Sequence, residues 1–298
     1  MRLLTFNHHS INDLSSVEEV NTFFLKLSKG IKKYIVANGI QNSRFFTELE
    51  NFKRYEIIEG FKVIDAINAL SRDLKSIIFD LITMRCNDDC LNNLSKTDED
   101  KITDYEVLLE DEAAGTDYMI LSFTLEKNGI LLSFNRNRWN QSSIEILKYK
   151  EHNTTKDTID NISSEEHAIE LLDKIILDQL PIKNIIYSKK FNDWLLGKTD
   201  DHSPDIDKVI SKINECINNG FKIDLKLIKP LNTDVFEIRV GSLGALQHSQ
   251  IRVLFKFDEE KKYILYGLIK HGENTYDYSG DIQETNQIFN DMKKQGNQ

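Results

Sequence analysis

The stretch Val235-Phe236-Glu237-Ile238-Arg239-Val240 alternates strictly: Phe236, Ile238 and Val240 occupy one face of an extended chain, and Glu237 and Arg239 the other. A period of two marks a strand with one buried side. Two further strand patterns follow at 250–257 and 261–269, joined by the loop 241–249 and the tight turn Asp258-Glu259-Glu260. Upstream, Ile185-Ile186-Tyr187 is a short apolar strand leading into a helix with Phe191, Trp194, Leu195 and Leu196. After a polar break over 197–204, the span 205–218 puts Ile206, Val209, Ile210, Ile213 and Ile217 on one helical face, with Asn219-Gly220 as its stop. A final helix is expected over 279–294. The order β-α-α-β-β-β-α over residues 184–298 predicts a compact α+β domain with an antiparallel sheet.

Residues 1–183 read as a separate, mixed α/β domain of unknown fold. Ser15-Ser16 followed by Glu18-Glu19 resembles a capping box, and Val17, Val20, Phe23, Phe24 and Leu27 recur at helical spacing, which predicts a helix over 16–37. From Val63 to Met84 the same period runs without Pro or Gly and predicts one long helix. The runs 105–109, 119–125, 130–134 and 144–149 read as an antiparallel meander, with Lys127-Asn128-Gly129 as a hairpin turn. A helix over 165–179, capped by Ser163 or Ser164, ends before Pro181.

Composition bounds the function. The 298 residues carry 38 Lys+Arg against 48 Asp+Glu, a formal charge of −10, which excludes a wholly basic nucleic-acid coat. The charge divides unevenly, −9 over residues 1–183 and −1 over 184–298. Acidity concentrates between Asp98 and Asp117, a run that reads as a solvated loop or, alternatively, as a nucleic-acid mimic masking a basic surface. No apolar run suffices for a membrane helix and no signal-peptide pattern opens the chain, so a soluble, cytoplasmic protein is expected. Three cysteines, Cys86, Cys90 and Cys216, argue for reduced thiols rather than a disulfide framework.

In the carboxy-terminal part, Glu237 and Arg239 share a strand face, Arg252 lies near the start of the next strand, and Lys270-His271 end the third. If the three strands are antiparallel neighbours, these groups converge at one end of the sheet, with Tyr276 and Tyr278 just beyond. Clustered cations suit a phosphodiester because they stabilise the charge that develops on its oxygens. A carboxylate or imidazole beside them could take a ribose 2′-hydroxyl proton, and tyrosines could stack on bases. The plain alternative is an exposed sheet face with cross-strand ion pairs such as Glu237 with Arg252.

The segment from Ile185 onward resembles the RelE/HigB family of bacterial toxins, ribosome-dependent mRNA endoribonucleases, and most closely its phage Gp49-like branch. The resemblance rests on Phe191-Asn192-Asp193-Trp194-Leu195, Ile213 through Gly220, Ile228-Lys229-Pro230-Leu231, Val235 to Arg239, Ile251-Arg252-Val253-Leu254-Phe255, and Gly267 through Thr275. It implies a RelE-like domain over 184–298 that cleaves mRNA without metal or cofactor, by attack of the 2′-hydroxyl on the adjacent phosphate. Glu237 would be the base, Arg239, Arg252 and Lys270 the phosphate contacts, and His271 or Tyr278 the proton donor. Lys229, Lys256 and Tyr276 would touch RNA. The implied partners are mRNA, the ribosome and a helix-turn-helix antitoxin, in a toxin-antitoxin or phage-defence setting, with residues 1–183 sensing, docking or restraining the toxin. The sequence departs from the family pattern at Thr275-Tyr276, where Thr-Pro is expected, at His271, where a second Lys is expected, and in the last helix, which lacks the Ala-x-x-Arg pattern. A non-catalytic RNA- or protein-binding module is therefore the competing reading.

Three other patterns stand in the sequence. Pro204-Asp205 with Asp224-Leu225-Lys226 fits a loose metal-nuclease pattern, but Asp205 reads as a helix cap. His8-His9 read as surface residues. Phe134-Asn135-Arg136-Asn137-Arg138-Trp139 reads as a turn with surface arginines, or as a nucleic-acid or partner contact.

Overall fold

The computed structural model describes residues 2–109, 118–150, 153–182, 184–199, 204–243, 246–258, 261–271 and 276–296. The chain forms two compact units, Met1–Leu172 and Asp173–Gln298. Both mix helices and sheet, as expected. Their division falls inside a helix, upstream of the boundary at Lys183 read from the sequence.

Unit 1 begins with β1 (Arg2–Phe6), α1 (Val17–Asn38) and β2 (Ser43–Phe46), followed by the small hairpin β3 (Glu56–Ile58) and β4 (Phe61–Lys62). Next come α2 (Val63–Asn68), α3 (Arg72–Met84), β5 (Cys86–Asn87), α4 (Lys96–Thr103), β6 (Glu106–Leu108) and α5 (Met119–Glu126). The unit continues with β7 (Ile130–Leu132), β8 (Ser143–Lys150), β9 (Asn153–Ile162) and the start of α6 (Glu165–Leu177). Seven strands form one sheet in the order β5-β2-β1-β7-β9-β8-β6. The first five are parallel, and β8 and β6 are antiparallel additions.

Helices cover both faces of the parallel part. In the β7–β9 register Leu131 is paired with Asn161, and Leu132 with Ile162. Leu131 packs with Phe123 and Leu121 of α5. On the opposite face Ile162 meets Gly30 of α1, where a Cβ would lie 2.4 Å from Ser164 O. The chain thus leaves β1 on one side toward β2 and β5 and returns to β7 on the other, so the order reverses between β1 and β7. Such a reversal opens a crevice beyond the carboxyl ends of parallel strands.

Several expectations for this unit are corrected. Met119 to Leu125 is helical, because a segment buried on nearly every side, Ser122 and Thr124 included, carries no period and suits a buried helix as well as a strand. Asn128, at φ 49°, is the left-handed residue that ends α5, with Gly129 N bonding Thr124 O, rather than a hairpin turn. The meander is accordingly broken: β7 pairs in parallel with β1 and β9, and only its outer members, β6 and β8, are antiparallel neighbours. The long helix from Val63 breaks at Ala69–Ser71, yet both pieces bury apolar residues, which is why the period runs through the break. The acidic run is in part helix α4, with Asp98 paired to Lys127 at 2.6 Å and Asp104 to Lys150 at 2.5 Å; Glu110 to Asp117 lie outside the described residues.

Unit 2 follows the expected order with one strand more: Ile228–Pro230, not read as a strand from the sequence, pairs with the strand that carries Glu237. The unit contains β10 (Ile185–Tyr187), α7 (Lys189–Leu195), α8 (Ile206–Asn218), β11 (Ile228–Pro230), β12 (Val235–Leu243), β13 (Leu246–Asp258), β14 (Lys261–His271) and α9 (Ser279–Gly296). Ser188 and Asp205 cap α7 and α8 by accepting from Phe191 N and Lys208 N. The sheet order is β10-β14-β13-β12-β11, with β10 parallel to β14 and the other pairs antiparallel. Phe236 packs against, and Ile238, Val240, Val253 and Phe255 join, an apolar core with Trp194, Ile213 and Phe191 of α7 and α8. Gly267 lets the Trp194 ring lie directly on β14, where a Cβ would meet it at 2.0 Å. The other sheet face carries the polar groups and part of α9. No helix among the described residues is long and apolar enough to cross a membrane.

Candidate functional site

On the polar face of unit 2, the β12–β13 register pairs Arg239 with Arg252 and Glu237 with Leu254, which puts both guanidinium groups on the face of Glu237. Glu237 is 1% exposed. Its Oε1 accepts from Arg239 Nε at 3.0 Å, and its Oε2 accepts from the Tyr278 hydroxyl at 2.5 Å. Arg252 Nε lies 3.5 Å from Oε2, an ion-pair contact. Both arginines are fixed from behind: Arg239 Nη1 donates to Leu225 O at 2.7 Å, and Arg252 donates to Ile251 O and to Gln250 Oε1. A buried carboxylate held by two cations and a phenol has its desolvation offset by paired charge and hydrogen bonds. Burial, and then the Glu237 carboxylate, raise the pKa of Tyr278, so it remains a phenol and donates. Immediately after Arg239 the strand bulges, and Gly241 at φ 126° takes a conformation that side chains rarely adopt.

The remaining expected residues divide. Lys229 is the cross-strand neighbour of Glu237 on β11. Lys270 pairs with Gln250, on the face of Arg252, but three strand positions of β13 separate it from the level of Leu254 and Glu237. His271 instead pairs with Ser249 and shares a 2.9 Å contact with its hydroxyl, which alternation places on the face opposite Arg252. The expected convergence of His271 with the arginines is therefore not observed. Lys256 is buried under α9, bonded to Asp234 at 2.5 Å and Asn286 at 2.7 Å and lying over the Phe289 ring, so it serves the fold rather than an open RNA surface. Tyr276 stacks edge-on with Tyr278 at 4.8 Å. Gly272 to Thr275 lie outside the described residues.

The competing nuclease pattern does not assemble. Asp205 caps α8 and pairs with Lys208, while Asp224 accepts from Lys226 N in a turn. All three thiols are free, and burial raises their pKa values, that of Cys90 and of Cys216 to about 12, which keeps them protonated and unreactive.

A second site, in unit 1, was not legible as such. His8 and His9 stand on a 3-10 turn directly after β1, and Glu48 follows β2. One imidazole nitrogen from each histidine and one Glu48 oxygen lie within 4.8 Å of one another, and His8 is ion-paired with Glu48. This is the one metal-capable group of His, Cys, Asp or Glu found among the described residues. Beside it, a cleft of ≈ 470 Å³ is bounded by His9 and Ser10 after β1, by Arg136, Arg138 and Trp139 after β7, and by Tyr118. The two loops are tied together: Asn7 Nδ2 donates to Ser133 Oγ at 3.1 Å, Phe134 N to Ser10 Oγ at 2.9 Å, and Arg136 Nη1 to Asn12 O at 2.6 Å. Histidines and arginines that read as separate surface residues thus meet at the strand ends.

Comparison with protein-family models, with curated proteins and with solved structures finds no match to this chain.

Proposed function

We propose that unit 2 is a RelE/HigB-like ribonuclease, the toxin of a toxin-antitoxin or phage-defence system, acting on mRNA presented by the ribosome. The observation that carries this reading is the grip of Arg239, Arg252 and Tyr278 on Glu237 within a sheet of order β10-β14-β13-β12-β11. In the reaction, the 2′-oxygen attacks the adjacent phosphorus while Glu237 takes its proton. The 5′-oxygen leaves with a proton, and a 2′,3′-cyclic phosphate remains. Arg239, the more exposed of the two arginines, meets the phosphate first, and Arg252 stabilises charge on its non-bridging oxygens. Tyr278 is better placed than His271 to supply the leaving-group proton, because its hydroxyl already sits on the Glu237 carboxylate. For Glu237 to act as a base, incoming RNA must displace that hydroxyl. The RNA partner, the antitoxin and the restraining role of unit 1 belong to this same proposal.

The test is primer extension on mRNA in a ribosome-containing reaction. Cleavage is expected with the full chain and should drop at least about 100-fold in Glu237→Gln and Arg252→Lys. Cleavage unchanged in both variants would sink the assignment. A second reading, a non-catalytic RNA- or protein-binding module, is favoured by the burial of Glu237 and by the absence of an Ala-x-x-Arg pattern in α9. It predicts RNA or ribosome binding with no cleavage by any form of the chain.

A further inference from the structure

We propose that unit 1 holds a divalent transition-metal ion of the zinc class on His8, His9 and Glu48, and that the adjoining cleft takes a small phosphate-bearing anion that completes the metal's coordination.

Three observations converge. The donor set is two imidazoles and one carboxylate, the three-ligand composition that zinc sites use when one position is kept for water or substrate. Calcium and magnesium prefer oxygen-only sets, so the two histidines select the metal class. The donors come from the ends of two adjacent parallel strands, and their ligand atoms already lie within 4.8 Å of one another. Zn–N and Zn–O bonds of about 2.0–2.2 Å need only side-chain rotation to close that triangle. Both histidines and Glu48 are half-buried, and His8 Nδ1, His9 Nε2 and Glu48 Oε1 are themselves shielded from solvent, so the donor atoms face one another inside the fold rather than open water.

The position of the cleft is the second, independent reason. It lies at the carboxyl ends of β1 and β7, where the strand order reverses, and its volume of ≈ 470 Å³ suits a small molecule. His9 belongs to both the metal-capable group and the cleft wall, so an anion in the cleft would touch the ion. The charge is also right. Arg136 and Arg138 outnumber Asp13 on the cleft wall, and a divalent ion more than offsets Glu48. A phosphate group is the anion that a bidentate arginine and a metal ion recognise together. Tyr118 and Trp139, both largely buried, give the cleft apolar flanks for the body of such a ligand.

The loops are preorganised for this role. The hydrogen bonds through Asn7, Ser10, Ser133 and Asn12 join the β1 and β7 loops, so the histidines and arginines keep their spacing before any ligand arrives. A fold that needed only closed strand ends would not require two adjacent histidines opposite a glutamate with two arginines alongside.

The experiment uses the full chain, dialysed against micromolar Zn²⁺ and assayed by elemental analysis. Calorimetry with inorganic pyrophosphate as probe follows, on zinc-loaded and zinc-free protein. About one Zn²⁺ per chain is expected. His9→Ala and Glu48→Gln should each weaken zinc binding at least about 100-fold, with circular dichroism unchanged. Pyrophosphate should bind only the zinc-loaded form. Arg136→Ala together with Arg138→Ala should abolish pyrophosphate binding and leave zinc in place. Failure of the wild-type chain to hold zinc, or zinc retained equally by His9→Ala and Glu48→Gln, overturns the metal site. Pyrophosphate bound equally with and without zinc, or not bound by the loaded chain, overturns the ligand assignment.

Discussion

The two units place polar side chains on a sheet in opposite ways. In unit 2 the charged groups lie along the strands, within the register of β12 and β13, and they are spent on one another: Glu237 is 1% exposed and each of its oxygens has a partner. In unit 1 the central strands β1, β2 and β7 are mainly apolar, and the chemistry stands beyond their ends, on the loops that follow them. A site built on strands is rigid but must compete with its own pairing. One built on strand-end loops stays open and can gather residues far apart in the chain. The first asks its ligand to displace a contact, whereas the second asks it to supply one.

Four measurements would break or sharpen that contrast, and the two tryptophans, Trp139 in unit 1 and Trp194 in unit 2, give each unit a fluorescence probe. The largest effect is expected from Trp194→Ala, which empties the centre of the unit 2 core and, with its own fluorescence removed, should cost about 3–5 kcal/mol in urea unfolding followed by circular dichroism. The Trp139 signal should not move with it. A matching shift there would show that the units do not unfold independently.

Next, Arg252→Ala leaves Glu237 buried beside one fewer cation and should cost about 3 kcal/mol, whereas Arg239→Ala, at a side chain 34% exposed, should cost about 1 kcal/mol. Equal costs would mean that the carboxylate is less enclosed than its contacts imply. In unit 1, Gly30→Ala would normally favour a helix, but here the new Cβ meets Ser164 O at 2.4 Å, so a net loss of about 2 kcal/mol is expected by denaturation. A gain in stability would contradict the close approach of α1 to the sheet.

The smallest effect concerns pH. Tyr278 has a raised pKa, so its neutral form favours the folded unit. Its contribution is complete below the ordinary phenol value near 10 and is lost as pH rises through the elevated one. Tyr278→Phe should therefore flatten the alkaline decline of unit 2 stability. An unchanged decline would assign it to other groups.

These contrasts also explain what the sequence made readable. Alternation in Val235 to Val240 and the helical period in Ile206 to Ile217 both carry one buried face, and the strands and helix formed where those patterns stand. The pairing of Arg239 with Glu237 follows from the same alternation. The failures came where burial is two-sided or absent. Ile120 to Thr124 are all buried, polar Ser122 and Thr124 included, so the segment had no period to read. Strand β9 opens with Asn153-Thr154-Thr155-Lys156, exposed on both faces and paired there only with β8. His271 was misplaced because the position of a residue at a strand end depends on a register that its own sequence does not contain. The unit 1 cleft was hidden for a related reason: Glu48, His9 and Arg136 share no local pattern, and only the parallel order β2-β1-β7 brings them to one edge.

The adjacency of β10 and β14 has a consequence for synthesis. As the chain leaves the ribosome in order, β10 has no sheet neighbour until β14 has been made, so the first strand of unit 2 waits for almost the last. Tyr278 emerges later still, and Glu237 cannot gain its phenolic partner before then. Loop closure over that span delays folding, while the parallel strands of unit 1 have already been translated. A chain cut short before β14 would thus leave β10 without its sheet neighbour and Glu237 without its phenol, so the unit 2 sheet and the partners of its buried carboxylate are complete only when translation is almost finished.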